Sequence, residues 1–217
     1  MAQGFGWPEF GFLLGGVQWT VALSALAFVC GGVAGLLVAV ARASERAWLR
    51  RAMAGYIGLF QGTPLLLQLF VFYYGLGLVG IKLPAWAAVV TAFTLNASAF
   101  LGDIWRGAIE ALPPGQSEAA LALGLHRWAT LRTVILPQAF RIAQPATVGY
   151  LVQLIKGTSL AAIVGFIELA RAGQLVSNST LQPILVFGVV GCLYFVLCWP
   201  LSLLSARLEQ RTATAAR

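Results

Sequence analysis

Asn96, Ser98, Asp103, Lys156, Thr158 and Ser159 carry polar or charged groups inside or beside long apolar runs. Ionisable groups at membrane depth are expensive, and they face a bundle interior or an aqueous path. Asn96, Asp103 and Glu110 recur at intervals of seven, one stripe of a helix. For Asn96 two readings stand open: lining such a path, or hydrogen bonding between helices. Asp103 and Glu110 flank Arg106 at helical spacing, so local ion pairs are expected. Lys156 lies midway along a hydrophobic run and is followed by Gly157-Thr158-Ser159. It calls for an acidic partner, Asp103 or Glu168, or for contact with water. None of these groups forms a catalytic constellation. The single histidine, His126, has no partner ligand, and Cys30, Cys192 and Cys198 fall within apolar runs without metal-ligand spacing, so they are expected to be small core residues. No phosphate-cradling GxxxxGK[ST] occurs.

The elements that must position these residues are membrane spans. Of 217 residues, 59% are hydrophobic and 10% charged, a balance that leaves a soluble domain without a solvated surface. A helix crosses a bilayer with ~20 mostly apolar residues. Val17 to Ala41, Ala52 to Ile81, Leu83 to Gly102 and Leu181 to Ala206 are uncharged, and Ile142 to Ile167 is interrupted only by Lys156. Five transmembrane helices follow, at about 17–41, 56–80, 84–109, 142–168 and 182–206. They pack as one all-α domain over 1–217, because bare backbone polar groups are not tolerated in lipid. Gly31 and Gly35 form a GxxxG pair suited to close helix packing.

The net charge of +7 does not point to nucleic acid. Arg42, Arg46, Arg50 and Arg51 lie between spans one and two. Arg106, Arg127, Arg132 and Arg141 surround the segment between three and four, and Arg207, Arg211 and Arg217 close the chain. Such alternation by loop follows the positive-inside rule, which places the N-terminus outside and the C-terminus in the cytoplasm.

Two segments have turn chemistry of their own. Thr63-Pro64 reads as an N-cap and a first helical residue, so the second span is open to starting near Pro64, after a partly interfacial helix. Pro113-Pro114-Gly115 breaks the chain before a cytoplasmic loop at about 111–140. There Ser117 is expected to cap a short helix, with Glu118 in its first turn. Gly124 is expected to bend it, and a second helix to run to Leu136 and stop at Pro137. From these residues alone, such a helix lies on the bilayer surface or docks a protein.

The spacing Glu118-Ala119-Ala120, Gly124, Val134-x-Leu136-Pro137 resembles the EAA loop of bacterial ABC importer permeases. Leu59 to Leu66 with Gln68-Leu69-Phe70, Asp103 to Gly107, Gly115 to Ala120, Val134 to Ala139 and Lys156 to Leu160 continue the resemblance in order. It covers about Val17 to Ala206 and is to the polar amino acid (histidine, glutamine and arginine importer) permeases. The sequence departs from that pattern at Gln61, where arginine is common, at Asp103, where glutamate is usual, and at Gly157, where aspartate or asparagine is frequent.

The resemblance implies a type I ABC importer permease in the bacterial inner membrane, one of two permease subunits (homo- or heterodimer). Its partners would be an ATPase dimer and an extracytoplasmic solute-binding protein. No cofactor is expected on this chain, since ATP and Mg belong to the ATPase. Glu118, Ala119, Ala120, Gly124 and Leu125 become the expected ATPase-coupling residues. Asn96, Ser98, Asp103, Lys156, Thr158 and Ser159 become path or substrate candidates, being suited to the carboxylate and ammonium of an amino acid. The rival readings are a self-sufficient secondary transporter or channel, and a non-conducting structural subunit. Five spans without an evident inverted repeat, and polar residues in spans three and four, speak against them.

Overall fold

Helices and short connections make up the whole described length: the computed structural model describes residues 4–44 and 46–215. In order the helices are α1 Trp7–Arg42, α2 Ala47–Gly62, α3 Leu65–Leu78, α4 Ala85–Glu110, α5 Pro114–Ala122, α6 Arg127–Val164, α7 Leu169–Thr180 and α8 Pro183–Ala215. Among the described residues four of them, α1, α4, α6 and α8, are long and apolar enough to cross a membrane singly, and α2 with α3 reaches a fifth only if the bent pair is taken as one span.

α1 begins ten residues before the expected Val17 because Trp7 to Gly16 carries a single charge, and that charge is used. The Glu9 carboxylate accepts the Gly6 N–H at 2.9 Å, filling an otherwise open donor at the helix start. At 1.5 Å per residue, α1 is about 54 Å long and must project beyond a ~30 Å hydrocarbon core.

The closest packing is between α1 and α4, and glycine permits it. A Cβ on Gly31 would sit 2.4 Å from Ala97 Cβ, and one on Gly35 would sit 3.0 Å from the Ser98 carbonyl oxygen. The GxxxG pair thus marks where two backbones touch. Around this seam lies the main core, with Leu23, Ala27, Leu69, Phe93, Leu101 and Leu154. A second cluster, including Leu13, Leu169, Val176 and Val186, fastens the short α7 across α1 and α8. The outward faces of α1 and α8 expose Val29, Val33, Leu37, Phe195 and Val196, as lipid- or protein-facing surfaces require. Cys30 and Cys192 lie on these faces and only Cys198 is buried, so two of the three are not core residues.

The expected span at 56–80 is not one helix. The chain bends by 101° between α2 and α3. Pro64 has no N–H to continue the ladder, and its ring disfavours helical geometry at Thr63, which is extended (φ −115°, ψ 138°). Thr63 is not the N-cap: its hydroxyl donates back to the Leu59 carbonyl at 2.7 Å. The expected span at 142–168 also differs. α6 enters from residue 127, tightens to 3-10 geometry over Thr158–Val164, and ends at Gly165 with φ +81°, where glycine is favoured. Pro137 does not stop it. A π-helical turn at Leu131–Ile135 widens the coil immediately before the proline, which lets the helix pass through.

Candidate functional site

Two regions assemble the functional candidates, one at the end that bears the loop between α4 and α6, the other midway through the bundle.

At the first, α5 starts on Pro114, so Ser117 lies inside the helix and does not cap it. Glu118 therefore falls in the second turn, where the helix dipole favours it less than a first-turn position. The helix closes with the Leu125 N–H donating to the Ala120 carbonyl at 3.1 Å and Gly124 at φ +81°. That is a left-handed C-terminal cap, at which glycine avoids the cost of a Cβ. His126 then caps α6, its Nδ1 accepting the Ala129 N–H at 3.3 Å. Ala120 is buried, Leu125 is half-buried, and Glu118, Ala119, Leu121, Leu123 and Gly124 are exposed. Leu123 is 84% exposed and the neighbouring Trp128 66%. The short helix is tied to α6 by Gln138 Nε2, which donates to Gln116 Oε1 at 3.2 Å.

Midway through the bundle, a buried polar chain is organised by the break at Pro64. A proline leaves the carbonyl four residues back without its helical partner, and here that carbonyl is Phe60's. Gln68 Nε2 donates to it at 2.8 Å and reaches the Thr63 carbonyl and hydroxyl oxygens at 3.0 Å each. Asn96 Nδ2 donates to Gln68 Oε1 at 3.1 Å and lies 3.5 Å from the Phe60 oxygen. The Tyr150 hydroxyl donates to Asn96 Oδ1 at 3.1 Å. Gln68, Asn96 and Tyr150 are each buried, so the chain runs from α2 and α3 through α4 to α6 without open solvent. The Phe60 and Thr63 carbonyls at the break are thereby satisfied within the protein, as irregular backbone at membrane depth requires.

The structure separates the remaining candidates. Ser98 is buried, its hydroxyl 2.6 Å from that of Tyr56. Thr158 is fully buried and donates to the Ile155 carbonyl at 2.7 Å. Asp103 accepts from Arg106 at 2.9 Å and from Gln61 Nε2 at 3.4 Å, while Glu110 also pairs with Arg106. Gln61 and Asp103, two of the departures noted in the sequence, thus face one another. Ser159 is half-buried and donates to the Lys156 carbonyl at 2.8 Å.

Lys156 pairs with neither expected acid. Glu168 is fully buried, accepts the Ala170 and Arg171 N–H groups at 2.8 Å each as cap of α7, and receives the Tyr194 hydroxyl at 2.8 Å. Asp103 is held by Arg106. Lys156 is exposed and makes no ion pair among the described residues. Helix register explains this: Tyr150 and Leu154 turn one side of α6 to the main core, while Gln153 and Lys156 share an open stripe. A charge left at a helix centre in lipid costs about 2.5–3.5 kcal/mol on insertion scales, so this stripe faces protein or water. Gln68, Tyr150 and Gln153 escaped the sequence reading. Gln153 was marked by standing three residues before a lysine within a span, and Gln68 by standing four after a proline.

A broken second span, a bundle of long apolar helices and an exposed helical stub between two of them define a membrane transport subunit. Residues 31–214 match the family of binding-protein-dependent transport system inner membrane components, and the chain belongs to that family. It is a multi-pass inner-membrane component of a transport system rather than an enzyme, and works with an ATPase and a binding protein. It is 34% identical to a probable amino-acid ABC transporter permease, YckA, of Bacillus subtilis (strain 168), over 94% of this chain and 91% of the relative. An L-cystine transport system permease of the same organism, TcyB, is 37% identical, with 94% and 87% covered. The glutamine transport system permease GlnP of Escherichia coli (strain K12) is 33% identical, with 94% of each covered. Among solved structures, an amino acid ABC transporter crystallised with histidines superposes with a TM-score of 0.88 at 32% identity, covering 93% of this chain and 94% of that one.

Proposed function

We propose that this chain is the permease subunit of an ATP-driven importer of polar amino acids, one of a pair that together enclose the path. The observation that carries the reading is α5: a stub held to α6 through Gln138, presenting Glu118, Ala119, Leu121 and Leu123 outward. An exposed apolar edge on a helix so anchored suits a protein partner. ATP-driven closure of two ATPase subunits against α5 would press on α4 and α6, between which α5 is strung. The broken α2–α3 unit, latched to both by Gln68, Asn96 and Tyr150, would move with them.

In the membrane the N-terminus and α7 face outward, while the α1–α2 connection, α5 and the C-terminus face the cytoplasm, following the distribution of arginines. Single cysteines at Gln116 and Asn178, both exposed, test this in a background without native cysteines. Labelling of position 116 from outside would refute it.

Docking through α5 is tested at Gly124. Its left-handed backbone makes Gly124→Val cost about 1–3 kcal/mol of local strain, whereas Gly124→Asn is tolerated in that region. No atom beyond its chain neighbours lies within 4 Å of a Cβ there, so any effect arises from the altered cap or from the partner, not from crowding inside the protomer. Gly124→Val is expected to insert normally but lose co-purifying ATPase. A surface-lying helix would instead keep the ATPase bound.

A further inference from the structure

A cavity of about 830 Å³ opens where the connection after α4, the start of α5, the first half of α6 and the last turns of α8 meet. Sites for small molecules commonly enclose ~300–1,000 Å³. Two hydrogen bonds hold its walls. Gln138 Nε2 donates to Gln116 Oε1 at 3.2 Å, joining α6 to α5, and both residues line the cavity. The Ser205 hydroxyl donates to the Pro145 carbonyl at 2.8 Å, fastening α8 to α6 about one turn away. Gln116 lies on the face of α5 that also carries the buried Ala120, apart from the outward Glu118 and Leu121. The cavity is therefore distinct from the docking edge of α5.

Its chemistry is two-sided. Arg141 and Arg211 bring two guanidinium groups, and neither is ion-paired among the described residues. No described carboxylate lines the cavity, and the nearby Asp103 and Glu110 are held by Arg106. Ile142 and Leu208 make part of an apolar wall. Sequence position sets the depth. Arg141 stands immediately before the apolar run 142–167, and Arg211 five residues after the uncharged run that ends at Ala206. Both charges thus lie at the bilayer boundary, with Ile142 and Leu208 on the membrane side of their arginines. A guanidinium is always charged, and its planar fork matches the oxygens of a phosphate. The Gln116 amide nitrogen adds a further donor.

We propose that this cavity holds the phosphate of one anionic phospholipid, with Arg141 and Arg211 on the phosphate and the acyl chains leaving past Ile142 and Leu208 into the bilayer. Basic pockets between spans at headgroup level suit such lipids. The inference goes beyond the transport reading and needs only that the chain lies in a membrane, so its failure leaves that reading standing.

The test uses the permease–ATPase complex in nanodiscs of phosphatidylcholine with increasing phosphatidylglycerol, and native mass spectrometry counts the lipids retained per permease protomer. Wild type is expected to retain one phosphatidylglycerol, preferred over phosphatidylcholine by about tenfold or more. Arg141→Gln and Arg211→Gln should each weaken retention about tenfold or more, the scale of one lost charge-assisted hydrogen bond. Arg207→Gln removes the same charge from an exposed position on α8 outside the lining, and should cost at most about fivefold, the scale of one cation near an anionic surface. Co-purifying ATPase should be unchanged in all three. Equal losses from Arg207→Gln and Arg211→Gln would reduce the effect to general surface attraction and overturn the site. Displacement of the lipid by an equal concentration of inorganic phosphate would mark a soluble-anion site and overturn the lipid assignment. Retention by permease stripped of ATPase, but not by the complex, would give the cavity to the ATPase and overturn it as well.

Discussion

Replacing Asn96 by leucine, which keeps the branch point and the number of side-chain heavy atoms while removing the polar atoms, separates its two open roles. The change leaves Gln68 Oε1 and the Tyr150 hydroxyl without their 3.1 Å partners, in side chains that are 6% and 5% exposed. The 3.5 Å contact to the Phe60 oxygen is at the limit of a hydrogen bond and adds little, since Gln68 still serves that carbonyl at 2.8 Å. Unpaired buried groups in soluble proteins cost about 1–3 kcal/mol each. Interhelical bonds inside membranes measure lower, about 0.6 kcal/mol on average and 1.7 at most, because the unfolded helices also find partners. The lower scale applies here, so two lost bonds should cost about 1–3 kcal/mol. Tyr150→Phe removes one of them and should cost about half as much, and the double variant should fall short of the sum because the bond is shared. Equilibrium unfolding by steric trapping in bicelles measures all three. Unchanged stability of Asn96→Leu, together with a raised KM for uptake, would refute the network and make Asn96 a path residue.

Gly31→Ala should destabilise the α1–α4 seam by about 1–3 kcal/mol, since the added carbon meets Ala97 Cβ at 2.4 Å. Gly11→Ala, with nothing near its Cβ, should be neutral or stabilising in the same thermal unfolding assay. Equal effects would place the helix seam elsewhere. Gln61→Arg should convert the 3.4 Å amide contact with Asp103 into an ion pair. Asp103 is partly exposed and already shared with Arg106, so the gain should be at most about 0.2–1 kcal/mol. A loss of stability would show that Gln61 does not face Asp103 in the membrane.

The class of fold was legible because apolar runs of bilayer length and loop-by-loop arginines are one-dimensional signals. The break at Thr63-Pro64 was legible too, as a residue pair that cannot continue a helix. What could not be read was the side chain that repairs the break. Proline announces an orphaned carbonyl, but nothing local says that Gln68 and Asn96 reach it from other turns and helices. Pro137 misled for a related reason, because a π-helical turn absorbs a proline without leaving a sequence mark. Ser117 lost the cap to Pro113-Pro114, whose fixed backbone angles start the helix earlier. The partner of Lys156 failed because the eligible acids were already engaged, Glu168 by backbone N–H groups and Tyr194, and Asp103 by Arg106.

On the proposed function, a path through this chain moves an amino acid only when partner subunits hydrolyse ATP. Uptake of a labelled amino acid into liposomes, with ATP or a non-hydrolysable analogue and with or without the binding protein, addresses it directly. Accumulation is predicted only when ATP and loaded binding protein are both present, and Gly124→Val should abolish it. Uptake that proceeds with the analogue, or by the purified permease alone, would contradict the account.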